Sequence, residues 1–234
     1  MCGRYSQTQS GKTIAEAFQL EAAPELIPHY NIAPTQNVST VMVTPKQLSR
    51  QHHLLRWGLI PSWAKDKAMG NRLINARAET VAEKPSFRAA FKRRRCLIVA
   101  DGFYEWRRSE SSKHKQPFYF HMRDRPSTDG SVGMPFAFAG LWEHWQDSAG
   151  EIINSCVILT TVANELLRTI HIRMPVILDP ADYDLWLDPT VQEASALQPL
   201  LQPYAAAKMI SYPVSTQVNS PKNDYPECIE PVEA

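Results

Sequence analysis

Cysteine is scarce in this 234-residue chain, and its four copies are far apart. No Cys-x-x-Cys pair is present, so the spacing argues against a zinc site or a disulfide framework and is typical of reduced intracellular thiols. Long apolar runs are also missing, which argues against a membrane span, and the N-terminus lacks the apolar core of a signal peptide. We therefore expect a cytoplasmic protein with no membrane association and no metal ion.

Motifs of the large cofactor-dependent and hydrolytic enzyme classes are absent as well. The sequence contains no Walker loop, no dinucleotide fingerprint, no His-Glu-x-x-His pair and no Gly-x-Ser-x-Gly elbow. We accordingly expect no cofactor, and any catalysis must come from the side chains and termini of the chain itself.

Net charge is low, but its distribution along the chain is uneven. The formal charge is +1, which argues against a strongly basic nucleic-acid binder. Residues 1–110 nevertheless hold 17 Lys and Arg against 9 Asp and Glu, whereas residues 111–234 hold 8 against 15. A basic face formed by the first half would suit a polyanionic partner. Alternatively, the two halves intermix in space and the asymmetry cancels.

Short apolar segments separated by turns predict many strands with interspersed helices. No internal repeat, low-complexity linker or domain boundary is evident, so we predict a single α+β domain over residues 1–234 with a mainly antiparallel sheet. The three prolines of residues 24–36 predict an ordered loop. The predicted strands cover residues 37–43, 52–57, 96–100, 118–122, 136–141, 152–160 and 208–214, with a bend and a further strand within residues 101–106. The predicted helices cover residues 11–20, 86–92, 164–170, 181–187 and 191–201.

The N-terminus is the most distinctive chemical feature of the chain. A small residue at position 2 normally permits enzymatic removal of Met1, which would leave Cys2 with a free α-amine and a thiol on adjacent carbons. The reference pKa values of these groups, about 8 and about 8.5, leave useful fractions of both nucleophiles at neutral pH. The amine can form a Schiff base with an aldehyde, and the thiol can close it to a thiazolidine. The plain alternative is a chain that merely happens to begin Met-Cys.

Three internal polar residues are candidates for catalysis. Glu105 lies in a predicted strand between two aromatic residues, where a carboxyl is expected to have a raised pKa and to exchange protons. His171 follows a predicted helix and suits general acid–base work. Asn75 could hold or polarise a carbonyl or ring oxygen. Each also has a structural alternative: an edge-strand carboxylate facing water, a surface histidine and a turn asparagine.

Arginine and tryptophan supply candidates for nucleic-acid binding. Arg4, Arg77 and Arg173 are candidate phosphate ligands, because the guanidinium fork matches phosphate geometry. Trp63 and Trp106 could stack on unpaired bases. For the run of residues 93–95, a solvated basic face at the end of a helix is the favoured interpretation.

Seven spaced motifs together resemble the SRAP family, the SOS-response-associated peptidase domain. In chain order they are MCGRY at 1–5, YNIAPTQ at 30–36, WGLIPSW at 57–63, NARAET at 75–80, DGFYEW at 101–106, HIRMPVIL at 171–178 and VNSPKND at 218–224. The matches span nearly the whole chain. The resemblance implies an α+β fold with an antiparallel, barrel-like sheet core and flanking helices.

The resemblance also implies a role for each matching residue. It implies that Cys2 is the covalent nucleophile and that Asn75, Glu105 and His171 are its catalytic neighbours. The implied DNA-binding residues are Arg4, Arg77, Trp106, Arg173, Trp63 and Thr160. Members of this family act on abasic sites in single-stranded DNA and form protein–DNA crosslinks.

From the resemblance and the N-terminal chemistry, we expect an abasic-site processing protein that binds single-stranded DNA and shields the lesion through a thiazolidine crosslink at Cys2. The Schiff-base stage would also permit weak lyase activity. Two alternatives stay open, a thiol peptidase or autopeptidase with Cys2 as nucleophile, and a non-catalytic single-stranded DNA-binding module. We expect a monomer that associates with the nucleoid when bound to DNA.

Overall fold

The computed structural model describes residues 2–44, 47–108, 115–123 and 134–233. In these ranges, the α-helices are α1 (Gly11–Phe18), α2 (Arg88–Arg93), α3 (Glu165–Arg168), α4 (Tyr183–Leu187) and α5 (Ala194–Leu197). The strands are β1 (Tyr5–Gln7), β2 (His29–Ile32), β3 (Asn37–Thr44), β4 (Gln47–Trp57), β5 (Asn75–Arg77), β6 (Arg95–Ala100), β7 (Gly102–Arg107), β8 (Gln116–Met122), β9 (Phe136–Gln146), β10 (Ile152–Val162), β11 (Arg173–Pro175), β12 (Ile177–Leu178) and β13 (Met209–Pro213).

The strands form two sheets, one of which closes on itself. In the larger sheet β4 pairs with β3, β3 with β6, β6 with β9 and β9 with β10, and β10 pairs back onto β4. These five strands therefore make a closed, barrel-like ring, to which β5, β11 and β12 add at the margins. The smaller sheet has the antiparallel order β13-β8-β7-β1-β2.

Most strand pairings are antiparallel, and the exceptions among the described residues are β10 with β4 and β10 with β5. The predicted α+β class with a mainly antiparallel, barrel-like core and flanking helices is thus confirmed. The predicted strands and helices also occur, although several ends differ and the helix predicted over residues 191–201 is reduced to α5 and a following 3-10 turn.

Successive side chains on the central strands point to opposite faces of the sheet and so belong to two different apolar layers. On β6, Leu97 and Val99 belong to a cluster that packs against α1, α2, α4 and α5. Cys96, Ile98 and Ala100 belong to a second cluster, which includes Phe103 and Phe120 of the smaller sheet. The second cluster fills the space between the two sheets, and Cys2 is one of its members.

Two local predictions were wrong. Residues 24–36 are not all loop, because His29–Ile32 forms β2 and pairs with β1 across the register Tyr5–Ile32. Arg95 does not lie on a solvated basic face, since it is only 3% exposed. Its guanidinium donates to the carbonyl oxygens of Trp186 at 2.6 Å and of Phe91 at 2.8 Å. Burial lowers the pKa of Arg95 to about 10.

Candidate active site around Cys2

The N-terminal segment carries Cys2 into the core between the two sheets. Cys2 has no solvent exposure. Its carbonyl oxygen accepts a hydrogen bond from Asn75 Nδ2 at 2.7 Å, and its Sγ lies 3.8 Å from the carbonyl oxygen of Arg4. Asn75 is held in turn by β5, whose register places it opposite Ile158 of β10. The main chain of Cys2 is therefore fixed by a side chain from the other sheet.

Glu105 approaches the N-terminus from β7. Tyr5 pairs with Phe103, and the backbone N–H of Tyr104 donates to the carbonyl of Arg4 at 3.0 Å. Extending this antiparallel register by one further residue places Glu105 beside Gly3, next to Cys2. Glu105 is only 3% exposed, which excludes the alternative of an edge-strand carboxylate facing water.

Burial raises the pKa of the Glu105 carboxyl above its ordinary value, and the positive charge of His171 offsets part of this rise. Burial is also the main cause that raises the pKa of the Cys2 thiol, and the negative charge of Glu105 adds to it. Glu105 therefore lies within electrostatic range of both Cys2 and His171. Burial thus shifts both groups toward their neutral forms, the carboxylic acid and the thiol.

His171 is oriented by the short turn between α3 and β11. Its backbone N–H donates to the carbonyl of Leu167 at 2.8 Å. The backbone N–H of Arg173 donates to Nδ1 of the imidazole at 3.1 Å. Nδ1 also lies 3.1 Å from the Arg173 carbonyl oxygen, so this turn fixes the ring whichever nitrogen carries the proton. The fold thus brings together the four residues predicted to be catalytic: Cys2, Asn75, Glu105 and His171.

The predicted DNA-binding residues Arg4 and Trp106 are both tied to the C-terminal segment. Arg4 Nη1 donates to Asn31 Oδ1 at 2.9 Å and to the Val218 carbonyl at 2.7 Å, and Nη2 donates to the Asn219 carbonyl at 3.2 Å. Trp106 Nε1 donates to Asn219 Oδ1 at 2.7 Å. Sequence analysis missed this positioning role of Asn219, although the motif at residues 218–224 was a signal for it.

Asn31 and Asp224 complete the attachment of the C-terminal segment. Asn31 Nδ2 donates to the carbonyls of Val218, Ser220 and Asn223 at 3.1, 3.0 and 2.7 Å. Asp224 Oδ1 accepts from the backbone N–H of Asn31 at 3.0 Å. Both terminal nitrogens of Arg4 therefore donate to acceptors within the protein. Burial lowers the pKa of its guanidinium.

The other predicted DNA-binding residues lie mostly along β5, β10 and β11. Arg77 is exposed and pairs in register with Thr160. Arg173 forms an ion pair with Glu79, with Nη1–Oε1 and Nη2–Oε2 distances of 2.5 and 3.0 Å. Thr160 is fully buried, and its carbonyl accepts from Arg173 Nη2 at 2.5 Å, so it positions Arg173 instead of facing solvent. Trp63 follows β4 and is 57% exposed.

The described residues contain no cluster of three or more His, Cys, Asp and Glu side chains that could hold a metal ion. No helix in the described ranges is long and apolar enough to cross a membrane. Met1 lies outside the described residues, so its removal stays a prediction.

Comparison with known proteins identifies the family. The model of the SOS response associated peptidase (SRAP) family matches residues 1–221. The chain belongs to the SRAP family. The resemblance drawn from the seven motifs is thereby confirmed.

Curated relatives of this SRAP chain cover bacterial and vertebrate proteins. It is 44% identical over 233 residues to the "Abasic site processing protein YoqW" of Bacillus subtilis strain 168. That alignment covers 98% of this chain and 99% of the relative. It is 30% identical over 273 residues to the "Abasic site processing protein HMCES" of Pongo abelii. That alignment covers 100% of this chain and 77% of the relative.

A solved structure shares the fold of the SRAP chain. The crystal structure of a protein from Bacteroides thetaiotaomicron superposes with a TM-score of 0.84 at 25% identity, covering 99% of this chain and 100% of that one.

Proposed function

We propose that this protein processes abasic sites in single-stranded DNA by forming a covalent crosslink through Cys2 after Met1 has been removed. The observation that carries the proposal is the placement of Cys2, which lies buried beside Glu105 and Asn75, with His171 within electrostatic range. The similarity to relatives named abasic site processing proteins supports the choice of lesion.

The reaction begins with the open-chain deoxyribose, whose C1′ is an aldehyde. The neutral α-amine of Cys2 attacks C1′, the carbonyl oxygen gains a proton, and a carbinolamine forms. Loss of its hydroxyl as water, with one proton donated to the leaving oxygen, gives the imine. The Cys2 sulfur then bonds to the imine carbon, and the thiol proton ends on the ring nitrogen. One water is released, and no oxidant or reductant is required.

Three side chains have distinct roles in this series of reaction steps. Glu105, with its raised pKa, donates the proton to the leaving hydroxyl. His171 exchanges protons with the amine and the carbinolamine oxygen. Asn75 holds the Cys2 carbonyl at 2.7 Å and thereby orients the α-carbon that bears both nucleophiles. At reference pKa values about a tenth of the amine is neutral at pH 7.

The protonation state of the thiol favours crosslinking over the thiol-peptidase alternative. A cysteine peptidase needs a thiolate for its first step. Here burial and the charge of Glu105 both raise the pKa of Cys2 and disfavour the thiolate. Attack by the amine needs no thiolate, and the thiol acts only after an electrophilic imine has formed. At the imine stage, β-elimination at the sugar would account for a lyase side reaction.

The proposed DNA contacts combine backbone and base recognition. Arg77 is exposed, and Arg173 is held beside it across β10. Trp106 is half-buried, with its indole N–H bonded to Asn219 and its ring tilted against Tyr104 at 6.4 Å, so its exposed part would stack on an unpaired base. Recognition by stacking requires unstacked bases, so we expect a preference for single strands over intact duplex.

The proposal is tested by intact-mass spectrometry of the protein incubated with an abasic oligonucleotide. The wild type should give an adduct of protein plus DNA minus one water that survives heating. Cys2→Ala keeps the mature amine and deletes the sulfur, so its adduct should appear only after borohydride reduction. Cys228→Ala is the matched control, because Cys228 is buried in a separate cluster and should crosslink as the wild type does.

Two results would contradict the proposal. A heat-stable adduct of Cys2→Ala at wild-type yield would mean that the thiazolidine is not the linkage. An undiminished adduct in protein verified by mass to retain Met1 would exclude attack by the α-amine of Cys2.

A further inference from the structure

A buried carboxylate holds the strand that leads to Cys2. Asp101 lies at the bend between β6 and β7 and has no solvent exposure. Its Oδ1 accepts from Ser6 Oγ at 2.5 Å, and its Oδ2 accepts from Thr8 Oγ1 at 2.7 Å and from the Thr8 backbone N–H. Ser6 Oγ also lies 2.7 Å from the hydroxyl of Tyr119. We call these four residues, Ser6, Thr8, Asp101 and Tyr119, the Asp101 clasp.

The clasp is costly to build, because a carboxylate without solvent contact loses its hydration. Burial raises the pKa of Asp101, whereas the hydrogen bonds from Ser6 and Thr8 favour its ionised form. The neighbouring residue must be glycine for the same arrangement. A Cβ on Gly102 would lie 2.0 Å from the Tyr119 ring and hydroxyl, so any side chain there would displace Tyr119 from Ser6.

The clasp continues a series of bonds that starts at Cys2. The carbonyl of Cys2 accepts from Asn75, the carbonyl of Arg4 accepts from the Tyr104 backbone, and the carbonyl of Ser6 accepts from the Asp101 backbone at 3.0 Å. The N-terminal segment is therefore held at every second residue, and the Asp101 side chain secures the last of these points. The stretch from Cys2 to Ser6 is about 13 Å long when extended.

We propose that Asp101 is a positioning residue for crosslinking, which sets the place of the Cys2 amine and thiol by fixing residues 6–8. The inference rests on the proposed function. Without the Asp101 carboxylate, the segment keeps its backbone bonds at Cys2, Arg4 and Ser6, but residues 6–8 lose the side-chain bonds that fix them. A displacement of about 1 Å between reacting groups can slow a reaction about 100-fold.

The test compares two variants that each disturb a buried, multiply bonded charge. Asp101→Asn keeps the shape but replaces one accepting oxygen by a donor, so a donor of Ser6 or Thr8 loses its acceptor. Arg95→Lys is the control, because Arg95 is equally buried but secures α2 and α4 on the opposite layer. Both proteins are assayed at a temperature where circular dichroism shows them fully folded.

Two quantities are measured for each variant. The first is the dissociation constant for single-stranded DNA with a tetrahydrofuran abasic analogue, which cannot react. The second is the first-order crosslinking rate at saturating abasic oligonucleotide. We expect Asp101→Asn to lower the rate about 10- to 100-fold and to change the dissociation constant less than about threefold. Arg95→Lys should lower the melting temperature and leave both quantities at wild-type values.

Thr8→Val provides a milder variant if Asp101→Asn does not fold. It removes one donor to Asp101 and should slow crosslinking about three- to tenfold. In the Asp101→Asn background it should add less than it does alone, because both changes break the same bond. Hydrogen exchange in peptides covering residues 2–8 should rise in both variants and stay unchanged in Arg95→Lys.

Either of two outcomes overturns the role of Asp101. One is a saturating rate within about threefold of wild type in both clasp variants. The other is an equal loss of rate in Arg95→Lys, which would show that the effect follows general stability. A wild-type protein that forms no adduct would instead refute the proposed function, and exchange at residues 2–8 would then decide whether Asp101 holds the strand.

Discussion

Replacing Glu105 by Gln separates the chemical role of this carboxyl from its structural role. Gln has nearly the same shape but cannot transfer a proton. General acid–base groups contribute about 10²- to 10⁴-fold to rates, which corresponds to about 2.7–5.4 kcal/mol of barrier. We therefore expect the crosslinking rate of Glu105→Gln at saturating DNA to fall within that range while binding of the unreactive abasic analogue is retained.

Glu105→Gln should slow crosslinking but should not destabilise the fold. Burial raises the pKa of Glu105 above its ordinary value of 4.5. Relative to the unfolded chain, the folded protein then binds the proton more tightly, so this group's contribution to stability is greatest below about pH 4.5 and is lost as pH rises through the folded pKa. Glu105→Gln lacks this loss. Its free energy of unfolding should therefore equal or exceed that of the wild type at pH 7, and the difference should grow with pH.

The pH profile of the rate gives an independent readout. Protonation of the amine should slow the wild type at low pH, and ionisation of Glu105 should slow it at high pH, which gives a bell-shaped curve. Glu105→Gln should keep the low-pH limb and lose the high-pH limb. Glu143→Gln is the matched control, since it removes another buried carboxylate, paired with Arg94 at 2.8 Å, and should destabilise the protein without slowing crosslinking.

The measurements are stopped-time crosslinking assays read by denaturing gel, and chemical unfolding followed from pH 5 to pH 8. A Glu105→Gln rate within about threefold of the wild type, with the high-pH limb intact, would return Glu105 to a structural role.

Three further outcomes are expected. Asn75→Ala should slow crosslinking about fivefold, measured at saturating abasic DNA, because loss of the hydrogen bond to the Cys2 carbonyl raises the barrier by about 1 kcal/mol; an unchanged rate would contradict this role. Gly102→Ala should cost about 3 kcal/mol and lower the melting temperature by about 6–12 °C, because the new Cβ would overlap the Tyr119 ring, and a normal melting temperature would refute the overlap. Affinity for single-stranded DNA should fall with salt at a logarithmic slope of about −0.7 for each phosphate contact, and a flat salt dependence would argue against arginine–phosphate binding.

Much of the fold was predictable because period-2 patterns and turn residues are local signals. β2 was not, since prolines on both sides of it dominate the local pattern and its pairing depends on β1, which lies more than 20 residues earlier in the sequence. The burial of Arg95 was unpredictable for a related reason. The carbonyl groups that satisfy its guanidinium include that of Trp186, and such long-range partners leave no mark near residue 95.

The candidate site was predictable in membership but not in geometry. The side chains of Cys2, Asn75, Glu105 and His171 are chemically conspicuous, and the family motifs include them. Their approach depends on the strand register within each of two sheets and on how the sheets pack, neither of which sequence spacing reveals. The engagement of Arg4 and Trp106 by Asn219 is likewise a tertiary contact that composition could not indicate.

The attachment of the C-terminal segment has a consequence for the order of events during synthesis. A ribosome releases the chain from its N-terminus, so Arg4 and Trp106 emerge long before Val218 and Asn219, which hold them. Until translation is nearly complete, these two residues lack the contacts that orient them. A nascent chain, even with Met1 already removed, therefore lacks part of the proposed DNA surface. On the proposed function, crosslinking through Cys2 would have to wait until Val218 and Asn219 have been made.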